Sequence, residues 1–197
     1  MKRIALALLA LAALASGCDF KTGPLPPIDV YFSPKGGATE AVVQALNAAK
    51  NTVFVQAYSF TSKEIAEALL HAYRRGVVVH AILDKSDVGD HYSEADFLAN
   101  SGMSVLIDGR HQIAHNKIMI IDGETVITGS FNFTRQAEEH NAENLLVIHD
   151  RGIAERYLAN WHDHEAHSEP YTGRGEAAPR SDKDRKAPRK RLGVLEE

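Results

Sequence analysis

The sequence is poor in cysteine: Cys18 is the only one among 197 residues. No intrachain disulfide is available, so the fold has to stand on packing alone. Basic charge is not in surplus either. The net charge is −4, and the middle of the chain is more acidic than that. Cys18–His167 holds 12 Lys and Arg against 20 Asp and Glu, because the ends carry most of the basic excess. Phosphate affinity rests mainly on Lys and Arg, so this balance speaks against a general nucleic-acid binder. Aromatic residues make up only 7%, and no internal repeat is found. The length suits one compact domain plus ends.

Long hydrophobic runs are also scarce, with one exception at the start. Lys2 and Arg3 precede the apolar run Ile4–Ala15, and the small residues Ser16 and Gly17 follow. This reads as a secretory signal over residues 1–17, too short for a convincing membrane span. Cys18 stands directly after it. Leu14-Ala15-Ser16-Gly17-Cys18 resembles a bacterial lipoprotein signal, in which the cysteine becomes the lipidated first residue. Ala15 occupies the position where that signal usually has Leu. Cleavage after Ala15 or Gly17, giving a soluble exported protein, is the alternative. Either way the expectation is an exported, periplasmic protein, soluble or lipid-anchored to the envelope. In the anchored form Cys18 brings it to a membrane.

Residues 18–27 read as a Pro-containing tether. Thereafter apolar spacing alternates between two periods. Strands are predicted over Asp29–Ser33, Thr52–Phe60, Val77–Leu83, Ser104–Ile107 and Glu143–His149. Helices are predicted over Ala38–Lys50, from a Thr61 or Ser62 cap to Arg75, over His91–Asn100 and over Arg151–His167. Lys117–Ile121 and Thr125–Thr128 flank Asp122-Gly123, a strong hairpin signal. The pattern implies an α/β fold, an α-β-α sandwich with a mixed, largely parallel sheet spanning residues 28–167. Residues 168–197 have mixed charge and almost nothing apolar, so disorder is expected there.

The chemistry-bearing stretch is Ala114–Asp122, followed by Gly129–Thr134 and Asn141–Leu146. His115 and Lys117 are two apart, so on a strand they share a face. That pair is an odd choice for a core and a sensible one for a phosphate. Lys supplies a compact positive charge, and imidazole supplies a nitrogen that can attack or carry a proton. Ser130 and Asn132, again two apart, offer neutral donors. Glu143 could accept a hydrogen bond from the second nitrogen of His115 and fix its tautomer. Phe131 and Phe133 alternate with the polar pair and are expected in the core.

His115-x-Lys117-x4-Asp122 with Gly129-Ser130-x-Asn132 resembles the signature of the phospholipase D superfamily. From about Val30 to His167, AYSFT (Ala57–Thr61), RRGV (Arg74–Val77) and TGSFNFT (Thr128–Thr134) are similar to its small, single-motif periplasmic endonuclease branch. The resemblance implies a metal-independent phosphodiesterase without a cofactor. It makes His115 the nucleophile of a phosphohistidine intermediate and Lys117 and Asn132 phosphate-binding groups. Ser130 lines the same pocket, Glu143 orients the histidine, and Asp122 is structural. With one motif per chain, a homodimer is expected to bring two His115 side chains to one site. DNA or RNA is the favoured substrate, and a phospholipid such as phosphatidylcholine is the alternative. A non-catalytic phosphate-binding envelope module is the reading from another class.

Other polar residues receive plainer readings. His162, His164 and His167 form a solvated helix face, favoured near a helix C-terminus, and no metal site is expected. His111, Lys63 and Arg135 read as solvated loop or helix residues. The basic run Arg185–Arg191 belongs to the tail.

Overall fold

The structure is a computed structural model and describes residues 26–174. The signal, Cys18, most of the tether and all of the tail beyond residue 174 lie outside those residues.

The chain opens with strand β1 (Ile28–Ser33) and helix α1 (Ala38–Ala48), whose Ala38, Ala41, Val42 and Leu46 turn one apolar stripe inward. β2 (Thr52–Ala57) buries Val53, Val55 and Ala57 on one face, the period of two that a strand requires. Helix α2 (Lys63–Arg74) begins where the Ser62 hydroxyl accepts the Ile65 amide at 3.4 Å. β3 (Val78–Asp84), the short helix α3 (Ala95–Asn100) and β4 (Ser104–Asp108) follow. β5 (Lys117–Ile121) and β6 (Thr125–Gly129) form the hairpin expected from Asp122-Gly123. Both turn residues have positive φ, 54° and 65°, as a tight turn of this hand demands. A one-turn helix α4 (Arg135–Glu139), β7 (Glu143–His149), α5 (Arg151–Glu165) and the two-residue β8 (Glu169–Pro170) complete the order.

One eight-stranded sheet runs β1-β7-β6-β5-β2-β3-β4-β8. It is mixed, as expected, but not largely parallel. Only β2-β3 and β3-β4 run parallel, and the other five neighbouring pairs are antiparallel, because the β5–β6 hairpin, β7 and β1 follow one another by direct reversals of direction in the sheet. On one face α1 to α4 cover a core that includes Leu46, Val53, Ile65, Leu69, Phe131 and Phe133. On the other, α5 covers Ile82, Ile118, Ile120, Val126 and Ile148 with Trp161. The Trp161 indole donates to the carbonyl of Val55 at 2.9 Å, which locks α5 to the central strand. The result is the three-layered α-β-α sandwich.

Three further expectations are corrected. The helix predicted over His91–Asn100 starts only at Ala95. Asp90 accepts the Tyr92 amide at 2.8 Å and the Ser93 hydroxyl accepts the Ala95 amide at 3.2 Å, so local side-chain bonds displace the first turn. The predicted strand Thr52–Phe60 ends at Ala57, and Phe60 makes only an isolated bridge to Phe133. Disorder from Ser168 does not begin there: β8 pairs with β4, Tyr171 donates to Asp96 at 2.7 Å, and Arg174 joins the same carboxylate.

Strand directions gather the polar residues at one end of the sheet. β2, β3, β4 and β6 end there, and the antiparallel β5 and β7 begin there. Ligands of α/β sheets collect at such ends because the loops, not the ladder, face solvent.

Candidate active site

His115 lies just before β5, in the connection that follows β4, and is exposed. Its backbone is set from two sides. The Ala114 amide donates to Asp84 Oδ2 at 2.7 Å, and the Asn116 carbonyl accepts the Tyr58 amide at 2.9 Å. The imidazole packs against the Tyr58 ring, centroids 4.6 Å apart.

Lys117 opens β5 and is buried, 7% exposed. Its ammonium donates back to the carbonyl of His115 at 2.7 Å and sits 5.0 Å from the Tyr58 ring centroid. Burial pulls its pKa down to about 8, and the nearby Glu143 charge only partly restores it. A desolvated cation with few partners is poised for an anion.

Ser130 and Asn132 follow β6. Gly129 makes their approach possible. At φ 148°, a Cβ there would meet the Asn144 carbonyl oxygen at 2.3 Å. Phe131 and Phe133 point into the core, as the alternation implied, and so aim Ser130 and Asn132 outward. The Ser130 hydroxyl donates to Glu143 Oε2 at 2.6 Å and accepts the Asn144 amide at 3.1 Å. Asn132 is half-buried, with its acceptor Oδ1 buried without a partner; the group that can donate to a phosphate oxygen is its Nδ2.

Glu143 begins β7 and receives Asn141 Nδ2 at 3.0 Å in addition to Ser130. The contact expected between Glu143 and His115 is not made within this chain; the carboxylate is taken up by Ser130 and Asn141. Asp122 lies at the opposite end of β5. Its carboxylate accepts the backbone amides of Lys50, Asn51 and Thr52 at 2.9, 2.7 and 2.9 Å, tying the hairpin to the entry of β2.

The sequence marks Tyr58 only as part of AYSFT and gives it no role, although it touches both His115 and Lys117. Its signal was weak: it stands one residue past β2, and its role depends on the β2–β5 pairing. The histidine reading is also corrected. Only His162 is a solvated helix residue, pairing with Glu165 at 2.8 Å. His164 and His167, with side chains 14% and 16% exposed, turn inward to Asp108, and so does the loop residue His111.

A family model described as cardiolipin synthase, PLD-like domain, matches residues 42–164. The chain belongs to the phospholipase D superfamily. Among its relatives, a protein named phospholipase D from Rickettsia prowazekii is 42% identical over 134 residues, 68% of this chain and 65% of that protein. A mitochondrial cardiolipin hydrolase from Xenopus laevis is 34% identical over 134 residues, 68% of this chain and 60% of that protein. The chain thus spans about two thirds or less of these relatives' lengths. The solved phospholipase D family member Nuc from Salmonella typhimurium superposes with a TM-score of 0.71 at 39% identity, covering 74% of this chain and 98% of Nuc. The phospholipase D fold is therefore that of residues 26–174, with the His115-x-Lys117 motif at its sheet end.

Proposed function

We propose that this phospholipase D superfamily member is a phosphodiesterase in which His115 attacks phosphorus, with no metal at the reacting centre. The observation that carries the reading is the pairing of an exposed imidazole with a buried ammonium across one residue of chain. A pure binding module has no use for an accessible nucleophile beside its cation.

The steps balance simply. An imidazole nitrogen of His115 forms a bond to phosphorus while the bond to the leaving oxygen breaks. That oxygen takes a proton from a second imidazole. Water, deprotonated by the same imidazole, then attacks phosphorus and releases His115. Lys117 and Asn132 stabilise the charge that accumulates on the phosphoryl oxygens. One His115 cannot serve as nucleophile and acid on one phosphate at one time, so a two-fold homodimer supplies the second. Among the described residues no carboxylate bonds to His115, which fits a site finished by another copy.

A nucleic acid is the preferred substrate, in a non-specific endonuclease reaction. Within the single subunit His115 and Ser130 are exposed, so a long polymer can reach them without entering a deep acyl pocket. The match to nearly the whole length of Nuc favours the same reading. Phospholipid hydrolysis is the second reading, favoured by the relatives named phospholipase D and by the lipid anchor expected, from the sequence alone, at Cys18.

The test uses purified protein in EDTA at low temperature, with plasmid DNA in one set of reactions and phosphatidylcholine vesicles in the other. Cutting of DNA alone supports the endonuclease, and release of choline alone supports the lipid reading. Cutting of neither, both in EDTA and in protein left untreated with chelator, supports a binding module and overturns the proposal. Replacement of His115 by Asn should lower whichever activity is seen by on the order of 10⁴-fold or more, with the circular dichroism unchanged.

A further inference from the structure

Four side chains from two distant segments meet beside the end of β4. Asp108 is the last residue of that strand, and His111 lies in the loop leading to His115. His164 sits in the last turn of α5, and His167 just beyond it. One donor atom from each lies within 4.8 Å of all the others. Asp108 Oδ2 is 2.9 Å from His111 Nδ1, 2.8 Å from His164 Nδ1 and 3.4 Å from His167 Nε2. The three rings crowd together, with centroids 4.9, 5.2 and 5.3 Å apart.

As a set of hydrogen bonds this arrangement is awkward. All three imidazoles crowd the same oxygen, which has two lone pairs, and only His111 has Oδ1 as a second acceptor, at 3.2 Å. Charging all three rings instead would place like charges in contact within a mostly buried cluster. A cation at the centre removes both difficulties. Three nitrogen lone pairs and one carboxylate oxygen then face inward, and the protons leave. The donor set also selects the ion. Neutral imidazoles suit zinc and its first-row neighbours, whereas calcium and magnesium take oxygen ligands. A tetrahedral zinc with bonds of about 2.0–2.2 Å has ligand–ligand edges of roughly 3.3–3.5 Å. One oxygen–nitrogen edge, 3.4 Å, falls in that range, and the other two, 2.9 and 2.8 Å, fall about 0.4–0.5 Å short of it, so the ligands spread by that much to admit the ion.

The outer shell is in place as well. Asp108 Oδ1 is held by the backbone amides of Arg110 at 3.1 Å and His111 at 3.5 Å and lies 3.2 Å from His111 Nδ1, so Oδ2 is the oxygen that all three rings share. The ligands form two pairs of x2 spacing, Asp108-x2-His111 and His164-x2-His167, a spacing common at structural zinc sites.

We infer that Asp108, His111, His164 and His167 form a structural zinc-class metal site that staples the end of α5 to the loop leading into His115. Asp108, at 0% side-chain exposure, is the buried ligand that anchors the site to the sheet. None of the four ligands is a member of the proposed reacting centre, so the site and the phosphodiesterase reading stand or fall separately.

The experiment strips full-length protein with a chelator, removes the chelator, and titrates Zn²⁺ against a chromophoric competitor. Co²⁺ spectra and thermal midpoints are recorded in parallel. One ion per chain is expected, with the intense visible bands of four-coordinate Co²⁺ and a Zn²⁺-dependent rise in the midpoint. H164Q/H167Q should weaken Zn²⁺ binding by at least about 100-fold, while the exposed control H162Q and the variant H115N bind as wild type. If the double variant does not fold, H111Q at the exposed position replaces it, with an expected weakening of about 10- to 100-fold. Wild-type binding no tighter than that of the ligand variants overturns the inference. So does binding lost in H115N but kept in H164Q/H167Q, which would place the ion at the other site.

Discussion

The ammonium of Lys117 turns back on the carbonyl oxygen of His115 at 2.7 Å, so the cation of the motif also holds the backbone of its histidine. A phosphate arriving at the exposed imidazole meets a charge that is already desolvated and already fixed. Such preorganisation strengthens electrostatic stabilisation because no dipole has to reorient during the reaction.

This burial has a signature in pH. Desolvation lowers Lys117 to about 8, so its positive charge is lost from the free enzyme as pH rises through that value. We expect kcat/KM to fall on the alkaline side of about pH 8, and the limb to move upward in K117R, whose guanidinium stays charged. The stability effect has the opposite sense. Because the folded pKa lies below the unfolded one, the buried ammonium costs stability at neutral pH, and that cost is relieved between about 8 and 10.5. K117M should therefore be inactive yet more stable at pH 7 by about 1 kcal/mol, as read by urea unfolding.

Asp122 behaves as a tie rather than a reacting group. Burial alone would raise its pKa, but the amides of Thr52, Asn51 and Lys50, with the Lys50 charge, overcome that and lower it. Its contribution is present above the ordinary carboxylate value of 3.8 and is lost as pH falls through the lowered folded value. D122A should cost about 2–3 kcal/mol at pH 7 and leave activity per folded molecule nearly intact. A large loss of kcat without loss of stability would assign it to the chemistry instead.

Gly129 permits the close approach of β6 to β7. In G129A the new methyl would press on the Asn144 carbonyl, and the residue would keep a φ that L side chains rarely adopt. We expect a loss of about 3 kcal/mol in thermal or urea unfolding, together with a raised KM, because Ser130 and Asn132 hang from this junction.

Trp161 is the largest fully buried side chain on the α5 face, and its N–H has a single partner in Val55. W161A should destabilise by about 3–5 kcal/mol through the cavity it leaves. W161F keeps most of the volume and should cost about 1–2 kcal/mol for the carbonyl left without its donor.

Local signals were readable where the cause is local. Asp122-Gly123 can occupy two positive-φ positions, so it announced the β5–β6 turn. Ser62 can cap, so it announced α2. The motif spacing likewise brought His115 and Lys117 together. Long-range pairing was not readable. Tyr58 acquires its neighbours only when β2 lies beside β5, and β8 exists only because β4 offers an open edge. The helix reading of His164 and His167 was right about the element and wrong about its face, since Asp108 and His111 reach it from more than fifty residues away. The brevity of α4, one turn capped by Thr134, left no period to detect.

The central claim is that His115 bonds to phosphorus during turnover. A single turnover on a phosphodiester labelled at phosphorus, quenched in alkaline denaturant to protect phosphohistidine and followed by digestion and mass spectrometry, tests it directly. The account predicts label on the peptide that contains His115 in the wild type and none in H115N. Full turnover with no labelled protein, or label on another side chain, would contradict it.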